Sequence, residues 1–319
     1  MKQKAKFEKA DFIVFFMIIF LFPVSHCLAQ VHHGRQGPAD GSDNRWSSSI
    51  RGGSIYQFDT DMDSSRGSFT AHRLFVQPGI TYEPDRTRSF TLAFGYGYDD
   101  YDFDGDKGFI GLRPWDDIHT FRLSAPIRIT KGMSWSFFVV PTIKISGEKG
   151  ADFNDSLTGG GFAGFAYRFN KRFSIGPGIG IITQIEDDTS IFPMLVINWK
   201  ITDTLSLETG GGSDAGLGPG ISLNWLITDK YLFTLGGRYK KLRFRLDNNS
   251  EIKNGVGQDK SFPIFIGITY KFNSSARLSL TGGIDIKGEL KLEDKDGKVI
   301  EQEDYETTPF LGLSFSYRI

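Results

Sequence analysis

Cysteine is almost absent from this sequence, since Cys27 is the only one among 319 residues. A disulfide framework needs at least one pair of cysteines and a thiolate metal site needs several, so the sequence excludes both. A secreted chain without such cross-links must be stabilised in another way. We expect a large hydrogen-bonded sheet or a surrounding membrane to do this.

An excess of one charge is also lacking. The formal net charge is −1, and no run of basic residues is long enough to follow a phosphate backbone. The sequence therefore predicts no nucleic-acid partner. It likewise offers no motif for a cofactor, and we expect none.

Long apolar runs are confined to residues 12–24, which follow four lysines within the first nine residues. This run is shorter than the roughly 20 residues that a membrane-spanning helix needs. Small residues precede Gln30, so we predict that residues 1–29 are a secretory signal peptide cleaved after Ala29. An acylated Cys27 is the alternative, although His26 directly before it fits a lipoprotein signal poorly. Residues 30–45 are predicted to be a flexible periplasmic lead-in.

What the sequence has instead is alternation, most clearly in residues 118–145. Phe121, Leu123, Ile127 and Ile129 form one row, and polar residues fill the positions between them. A period of two places successive side chains on opposite faces of a strand. After a short polar turn at residues 130–132 the alternation resumes, so this stretch predicts an antiparallel hairpin.

The same unit recurs along the chain and predicts fourteen strands. Six tight turns join twelve of them, at residues 83–88, 130–132, 170–172, 202–204, 228–230 and 273–275. A candidate strand at 47–58 and the C-terminal strand complete the set. The strand at 47–58 has the weakest alternation, so twelve strands is the fallback. Five longer, acidic connections are predicted at residues 99–117, 147–156, 186–190, 247–260 and 293–306.

Short turns on one side, long loops on the other and aromatic residues beside the turns resemble a bacterial outer-membrane β-barrel. The resemblance covers residues 46–319 and includes the terminal segment Leu-Gly-Leu-Ser-Phe-Ser-Tyr-Arg-Ile. It implies an all-β, antiparallel up-and-down barrel of about fourteen strands, similar in size to monomeric porins. It also implies a Gram-negative outer membrane, with lipid, lipopolysaccharide and the barrel-assembly machinery as partners. A soluble β-barrel or sandwich is the alternative, although strands this long are unusual there. The chain departs from the usual aromatic last residue by ending in Ile319, and no motif selects a characterised subfamily.

If the apolar row faces lipid, the other row faces the lumen and is mainly basic. The inward basic residues are then Arg73, Arg122, Arg128, Lys144, Arg168, Lys200, Arg238, Lys240, Lys271, Lys287 and Arg318. The inward acidic residues are Glu208, Asp285 and Glu289. A ring of charge biases which ions enter a pore, so this row favours anions. The alternative is that the charges pair across a closed lumen.

The parity of the apolar row changes near Lys241, because Leu242, Phe244 and Leu246 are apolar on the other register. Either a β-bulge or departure from the membrane would account for the change.

Two motifs lie outside the lumen row. Asp100, Asp102 and Asp104 match the first half of a calcium-binding loop, but Gly111 stands where the loop needs a bidentate glutamate. They are therefore only a weak calcium candidate, and a solvated acidic loop facing lipopolysaccharide is the main expectation. His72 and His119 fall in the lipid-facing row, where the sequence places no serine clearly beside them and offers no Gly-x-Ser-x-Gly motif. No enzymatic activity is expected.

The leading functional hypothesis is a passive channel for small hydrophilic, in particular anionic, solutes. A non-conducting structural or adhesion barrel that acts through its acidic loops is the alternative. A carrier for apolar molecules is a third option, indicated weakly by the inward residues Phe75, Phe138 and Phe192.

Overall fold

The computed structural model describes residues 45–63, 67–210 and 220–319. The predicted signal peptide, nearly all of the predicted lead-in and most of the Gly-rich run after Thr209 lie outside the described residues. The described chain contains no helix with the length and apolarity needed to cross a membrane.

The alternating segments form one antiparallel sheet of seventeen strand segments, with a four-residue helix α1 (Gly108–Gly111) between two of them. The first nine segments are β1 (Trp46–Asp61), β2 (Gly67–Asp85), β3 (Arg88–Gly105), β4 (Asp117–Ser124), β5 (Ile127–Lys131), β6 (Trp135–Glu148), β7 (Leu157–Arg168), β8 (Phe173–Gln184) and β9 (Asp187–Lys200). The remaining eight are β10 (Leu205–Thr209), β11 (Gly220–Leu226), β12 (Tyr231–Arg238), β13 (Lys240–Arg245), β14 (Val256–Lys271), β15 (Ala276–Glu293), β16 (Val299–Tyr305) and β17 (Thr308–Arg318).

Three pairs of segments are single wall strands with a short interruption. Segments β4 and β5 both lie between β3 and β6, β12 and β13 both pair with β14, and β16 and β17 both pair with β15. The wall therefore has fourteen strands. It closes where β1 pairs with β17, from Ser49 opposite Arg318 to Gln57 opposite Phe310. The predicted fourteen-stranded barrel is confirmed, including the weakly alternating first strand.

The tight turns lie together at one end of the barrel. Several are stabilised by the same kind of hydrogen bond, from backbone N–H groups of the turn to a side-chain oxygen. The Asn170 side-chain oxygen accepts hydrogen bonds from the backbone N–H groups of Arg172 and Phe173, at 2.8 and 2.9 Å. Asn273 does the same for Ser275 and Ala276, both at 2.8 Å. Such side-chain-to-backbone bonds favour turns over continued strand, so they fix where each hairpin reverses.

At the opposite, extracellular end, several predicted loops are strands. Residues 99–105 belong to β3, residues 256–260 to β14 and residues 299–305 to β16, and β9 begins at Asp187. The prediction of long irregular loops at these places was wrong. Strands β1–β4, β6 and β13–β16 continue above the level of Tyr98 and Phe262, whereas β7–β11 end lower. We call this extension the head, and the part of the barrel below it the belt.

The head has an apolar core that fills its interior. Its buried residues include Phe69, Tyr101, Trp115, Phe244 and Leu290. The Trp115 and Phe244 rings meet edge to face, with centroids 5.1 Å apart. The head closes across the barrel, because Arg245 of β13 pairs in parallel with Gly147 of β6.

The parity change predicted near Lys241 is departure from the membrane, without a bulge in this strand. The register between β12–β13 and β14 is continuous from Tyr231 opposite Tyr270 to Arg245 opposite Val256. Leu242 and Phe244 therefore lie on the same inward face as Arg238 and Lys240. They are apolar because they enter the head core.

On β15 the apolar row changes sides by a different mechanism. The register between β14 and β15 shifts between Lys260 and Phe262, and Lys287 is the extra residue, with a positive φ of 51°. Leu278, Leu280 and Ile284 face outward, but after the bulge Leu290 and Leu292 face inward and are buried. A one-residue insertion rotates every later side chain to the other face.

Candidate functional site

The outer face of the belt is apolar along every strand. Residues such as Leu92, Ile143, Ile179, Leu280 and Leu313 are exposed there. Aromatic pairs lie beside the tight turns, for example Phe173 with Trp199 at 5.9 Å between ring centroids. This is the arrangement of a lipid-facing band with an aromatic girdle.

The interior of the belt has two different sides. On the side formed by β11–β17, inward residues such as Ser222, Phe265, Thr281 and Phe310 are buried, so this side is filled. The Phe265 and Phe310 rings lie against Gly236 and Gly283, where an added Cβ would come within 2.5 and 2.7 Å of the rings. Glycine is required at these positions because it lets the rings lie flat on the wall.

On the side formed by β2–β9 the inward residues contact open space. Gln77, Gly95, Thr142 and Phe162 are partly exposed, and Arg122 is exposed although it lies within the barrel. Arg122 is inward because its neighbours Phe121 and Leu123 are exposed on the lipid face. The accessible part of the lumen therefore runs along this side.

Three cations line the accessible side, and we call them the basic wall: Arg122 on β4, Arg128 on β5 and Lys144 on β6. Arg122 and Lys144 are directly opposite each other in the β4–β6 ladder. Arg128 is only 6% exposed and its Nε has no hydrogen-bond partner. Within the described residues none of the three forms an ion pair, and the one hydrogen bond found is from Lys144 Nζ to the Arg243 carbonyl at 3.4 Å. Burial of Arg128 without an ion-pair partner in the described chain is costly, so this wall is suited to an anion.

An apolar patch adjoins the basic wall, and we call it the apolar shelf: Phe138 and Val140 on β6, Phe162 on β7, and Phe192, Met194 and Val196 on β9. Phe138 is directly opposite Arg128, and Val140 is directly opposite Phe162. The Phe162 and Phe192 rings are 6.1 Å apart between centroids. Both rings are partly buried and pack against the buried residues of the shelf.

The other predicted lumen residues lie at different heights along the barrel axis. Arg168, Lys200, Lys271 and Arg318 lie near the tight turns, together with the inward residues Arg51 and Arg277, which the prediction omitted. Alternation indicated both of these, because Arg51 follows lipid-facing Ile50 and Arg277 precedes lipid-facing Leu278. In the middle of the wall, Glu208 accepts a hydrogen bond from Asn224 at 2.8 Å, and Arg238 donates to Ser222 at 3.1 Å.

Arg73, Lys240 and Asp285 lie in a charged layer directly beneath the head core. Its centre is Asp259, which is fully buried and accepts hydrogen bonds from Tyr101 at 2.7 Å and Tyr305 at 3.1 Å. Arg73 and Lys240 form ion pairs with it at 3.1 and 2.9 Å. Burial acts to raise the pKa of Asp259, but these two cations outweigh it and lower the pKa to about 2. Asp259 was not predicted because it falls within a stretch taken as a loop.

Two predicted positions were wrong. Lys287 is the exposed bulge residue of β15 and is not part of the inward row. Glu289 follows the bulge and therefore lies on the outer face, where it pairs with Lys260 at 2.7 Å and accepts a hydrogen bond from Gln302 at 3.3 Å.

The weak calcium candidate lies on an extended strand. Asp100, Asp102 and Asp104 occupy alternate positions of β3, so their side chains point the same way along the outer face. Successive side chains on one face are about 6.7 Å apart, too far for a single ion to be wrapped as in a loop. Across the described residues, no group of three histidine, cysteine or acidic side chains could hold a metal ion.

The two histidines of the predicted lipid-facing row do have polar neighbours. Ser54 Oγ lies 2.8 Å from His72 Nε2, which the sequence did not reveal because the two residues are on different strands. His119 contacts Tyr96 at 2.9 Å and Asp117 at 3.2 Å. In the described part of the chain no carboxylate hydrogen-bonds His72, so the Ser54–His72 pair lacks the third group that orients a catalytic histidine.

A closed antiparallel wall with an apolar outer belt and a charged interior defines an outer-membrane β-barrel, and this protein is one. The chain belongs to the family described as "Domain of unknown function (DUF6268)", whose model matches residues 132–318. The match covers the wall from the turn before β6 to the end of β17.

Solved outer-membrane barrels resemble the fold. An outer-membrane channel from Pseudomonas putida F1 is 11% identical, with a TM-score of 0.49, and the alignment covers 89% of this chain and 99% of that one. A FadL homologue from Pseudomonas aeruginosa is 11% identical, with a TM-score of 0.48 and coverage of 86% and 90%. The toluene transporter TodX from P. putida is 7% identical, with a TM-score of 0.40 and coverage of 87% and 90%. A search of curated protein sequences finds no match.

Proposed function

We propose that this protein is an outer-membrane channel that admits small anionic solutes along the accessible side of its lumen. The observation that carries the proposal is the basic wall, in which Arg122, Arg128 and Lys144 face the lumen and form no ion pair within the described chain. Fixed positive charge in a confined, low-dielectric lumen concentrates anions and excludes cations. The preference for anions is the one that the sequence predicted. We propose, however, that solutes pass along the side of the lumen formed by β2–β9 rather than through a central pore.

The test is the reversal potential of single channels in planar bilayers under a potassium chloride gradient. We expect the wild-type current to favour chloride, and the triple variant R122Q/R128Q/K144Q to lose most of that preference. The control is Arg277→Gln, which removes one exposed inward cation near the tight turns and should change selectivity only slightly. A wild-type protein that inserts but carries no current, or that favours potassium, would overturn the proposal.

A non-conducting structural barrel is the second candidate, and the filled head is the observation that favours it. The head core and the charged layer around Asp259 obstruct the extracellular end above β1–β4 and β14–β17. The same bilayer recordings separate the two candidates, because a structural barrel would insert without measurable current.

A further inference from the structure

We propose that the inward face of β4 and β6 holds a binding site for a doubly charged oxyanion, as inorganic phosphate or as the phosphate group of a small monoester. This deepens the proposed function, on which it rests, by naming the class of solute. The site consists of Arg122, Lys144 and the open part of the lumen beside them, and we call it the oxyanion site.

The centre of the oxyanion site is a pair of like charges. Arg122 and Lys144 are directly opposite each other in the β4–β6 ladder, where Cβ atoms are about 5 Å apart and like charges destabilise the sheet. Within the described residues Arg122 donates no hydrogen bond, and Lys144 donates one, of 3.4 Å, to the Arg243 carbonyl. A guanidinium and an ammonium have eight N–H hydrogens between them, so most donors of the pair are left for a ligand. A dianion that accepts from both would also remove their repulsion.

Carboxylates of the described chain do not neutralise this pair. Asp99 attracts both cations, but it forms an ion pair with Arg73 at 3.5 Å in the charged layer. Lys241 of β13 acts on Lys144 in the opposite sense and adds positive charge. The potential around Arg122 and Lys144 is therefore positive, which favours a multivalent anion over a singly charged one.

The open space lies beside Arg122, over two glycines of β3. Gly95 is directly opposite Arg122, and Gly97 is directly opposite Thr120. An added Cβ at either glycine would come no closer than 3.6 Å to an atom of another strand, which is an ordinary contact. Arg122 itself is exposed within the barrel, and Lys144 is partly exposed. A small ligand can therefore reach both cations from the lumen.

Hydroxyl groups border the pair on both sides. Thr120 and Ser146 lie on one side with their oxygens 2.8 Å apart, and Ser124 and Thr142 lie on the other with theirs 3.1 Å apart. When two hydroxyls share one hydrogen bond, one of them keeps a hydrogen that it can donate. Thr142 is partly exposed, so this pair is open to the lumen. Cations and hydroxyls around a small open space suit a compact oxyanion, which accepts charge-assisted hydrogen bonds through several oxygens.

The experiment is isothermal titration of the mature protein, in octyl glucoside micelles, with inorganic phosphate at about pH 8, where phosphate is mainly a dianion. Nitrate, a singly charged oxyanion, is the comparator. We expect phosphate to bind at least about tenfold more tightly than nitrate, because only a dianion neutralises both cations. Glycerol phosphate separates the two sources of the ligand. Its binding would extend the site to monoesters, and its exclusion would restrict the site to inorganic phosphate.

Two variants test the parts of the oxyanion site. R122Q/K144Q removes both cations, and we expect it to weaken phosphate binding about tenfold or more. Gly95→Leu keeps both charges but fills the open space, and it should weaken binding to a similar extent. The control Arg277→Gln removes an inward cation near the tight turns and should leave binding unchanged. Circular dichroism checks that each variant keeps the β-sheet content of the wild type.

Equal affinity for phosphate and nitrate would overturn the inference, as would phosphate binding that survives either R122Q/K144Q or Gly95→Leu. Failure of the proposed function is a separate result, because titration in micelles does not depend on conduction. A chloride-selective current without phosphate binding leaves the channel proposal standing and removes the oxyanion site. Phosphate binding in a protein that carries no current does the opposite.

Discussion

The belt and the head are built from the same strands, yet their two faces have opposite character. In the belt, Phe94 and Tyr96 of β3 face lipid while Gly95 and Gly97 face the lumen. In the head, the same strand places Tyr101 and Phe103 inside and Asp100 and Asp102 outside. The solvent determines this difference, because lipid surrounds the belt and water surrounds the head. A strand that crosses the membrane surface must therefore invert its apolar row.

The chain makes this inversion in two ways. On β3 and β12–β13 the register is continuous and the sequence itself changes parity. On β1 and β15 the apolar residues keep their parity, and a bulge turns them inward: the register shifts between Gln57 and Thr60 on β1, and at Lys287 on β15. A bulge at this level is therefore part of how the head is built.

Deletion of Lys287 should have the largest effect on the head. Without the extra residue, Leu290 and Leu292 would return to the outer face, as Leu278 and Leu280 are in the belt. We expect the head to lose on the order of 5 kcal/mol, because two buried leucines leave the core together. Trp115 fluorescence measures this, in a background where the four lipid-facing tryptophans are replaced by phenylalanine. The belt should still fold, as judged by far-ultraviolet circular dichroism. Loss of both signals together would contradict the separation of head from belt.

Acid should weaken the head and leave the belt intact. The pKa of Asp259 is lowered in the folded head, so its ion pairs stabilise the head above the ordinary carboxyl pKa of about 4. This contribution, about 2 kcal/mol, is lost as the pH falls from about 4 to about 2. The emission maximum of Trp115 should shift to longer wavelength over this range. In the variant Asp259→Asn the head should be less stable at neutral pH, and its stability should depend less on pH between about 4 and about 2. A pH dependence like that of the wild type would show that Asp259 is not the group responsible.

The smallest effect concerns the bulge itself. Lys287 has a φ of 51°, a conformation that costs an L-residue about 1 kcal/mol and glycine almost nothing. Lys287→Gly should therefore stabilise the head slightly, by about 0.5 kcal/mol after the extra flexibility of glycine is counted. Urea denaturation followed at Trp115 would measure the change. A marked destabilisation would mean that the lysine side chain, rather than the backbone shape, determines the bulge.

Alternation was sufficient to predict the belt, because each strand there has lipid on one face and polar interior on the other. It also placed the three residues of the basic wall. Alternation did not lead to a correct prediction for the head, because the acidic residues of β3 were interpreted as a loop. Their strict alternation with Tyr101 and Phe103 is itself a strand pattern, but with the apolar face reversed.

The apolar shelf could not be predicted in full, for a different reason. Residues 137–140 are Phe-Phe-Val-Val, so both faces of β6 are apolar and the period disappears. Phe162 and Phe192 become neighbours only through β8, which separates their strands. The pairing of Ser54 with His72 likewise depends on the register between β1 and β2, which one sequence does not determine.

The contact between β13 and β6 has a mechanical consequence. In a simple barrel each strand is joined only to its two neighbours, so the cross-section can flatten into an ellipse at little cost. Here Arg245 and Gly147 join two strands that have the five strands β7–β11 between them, more than a third of the fourteen-stranded wall. The head thus acts as a brace across one diameter, which holds the extracellular rim to a fixed shape and leaves the periplasmic rim free to deform.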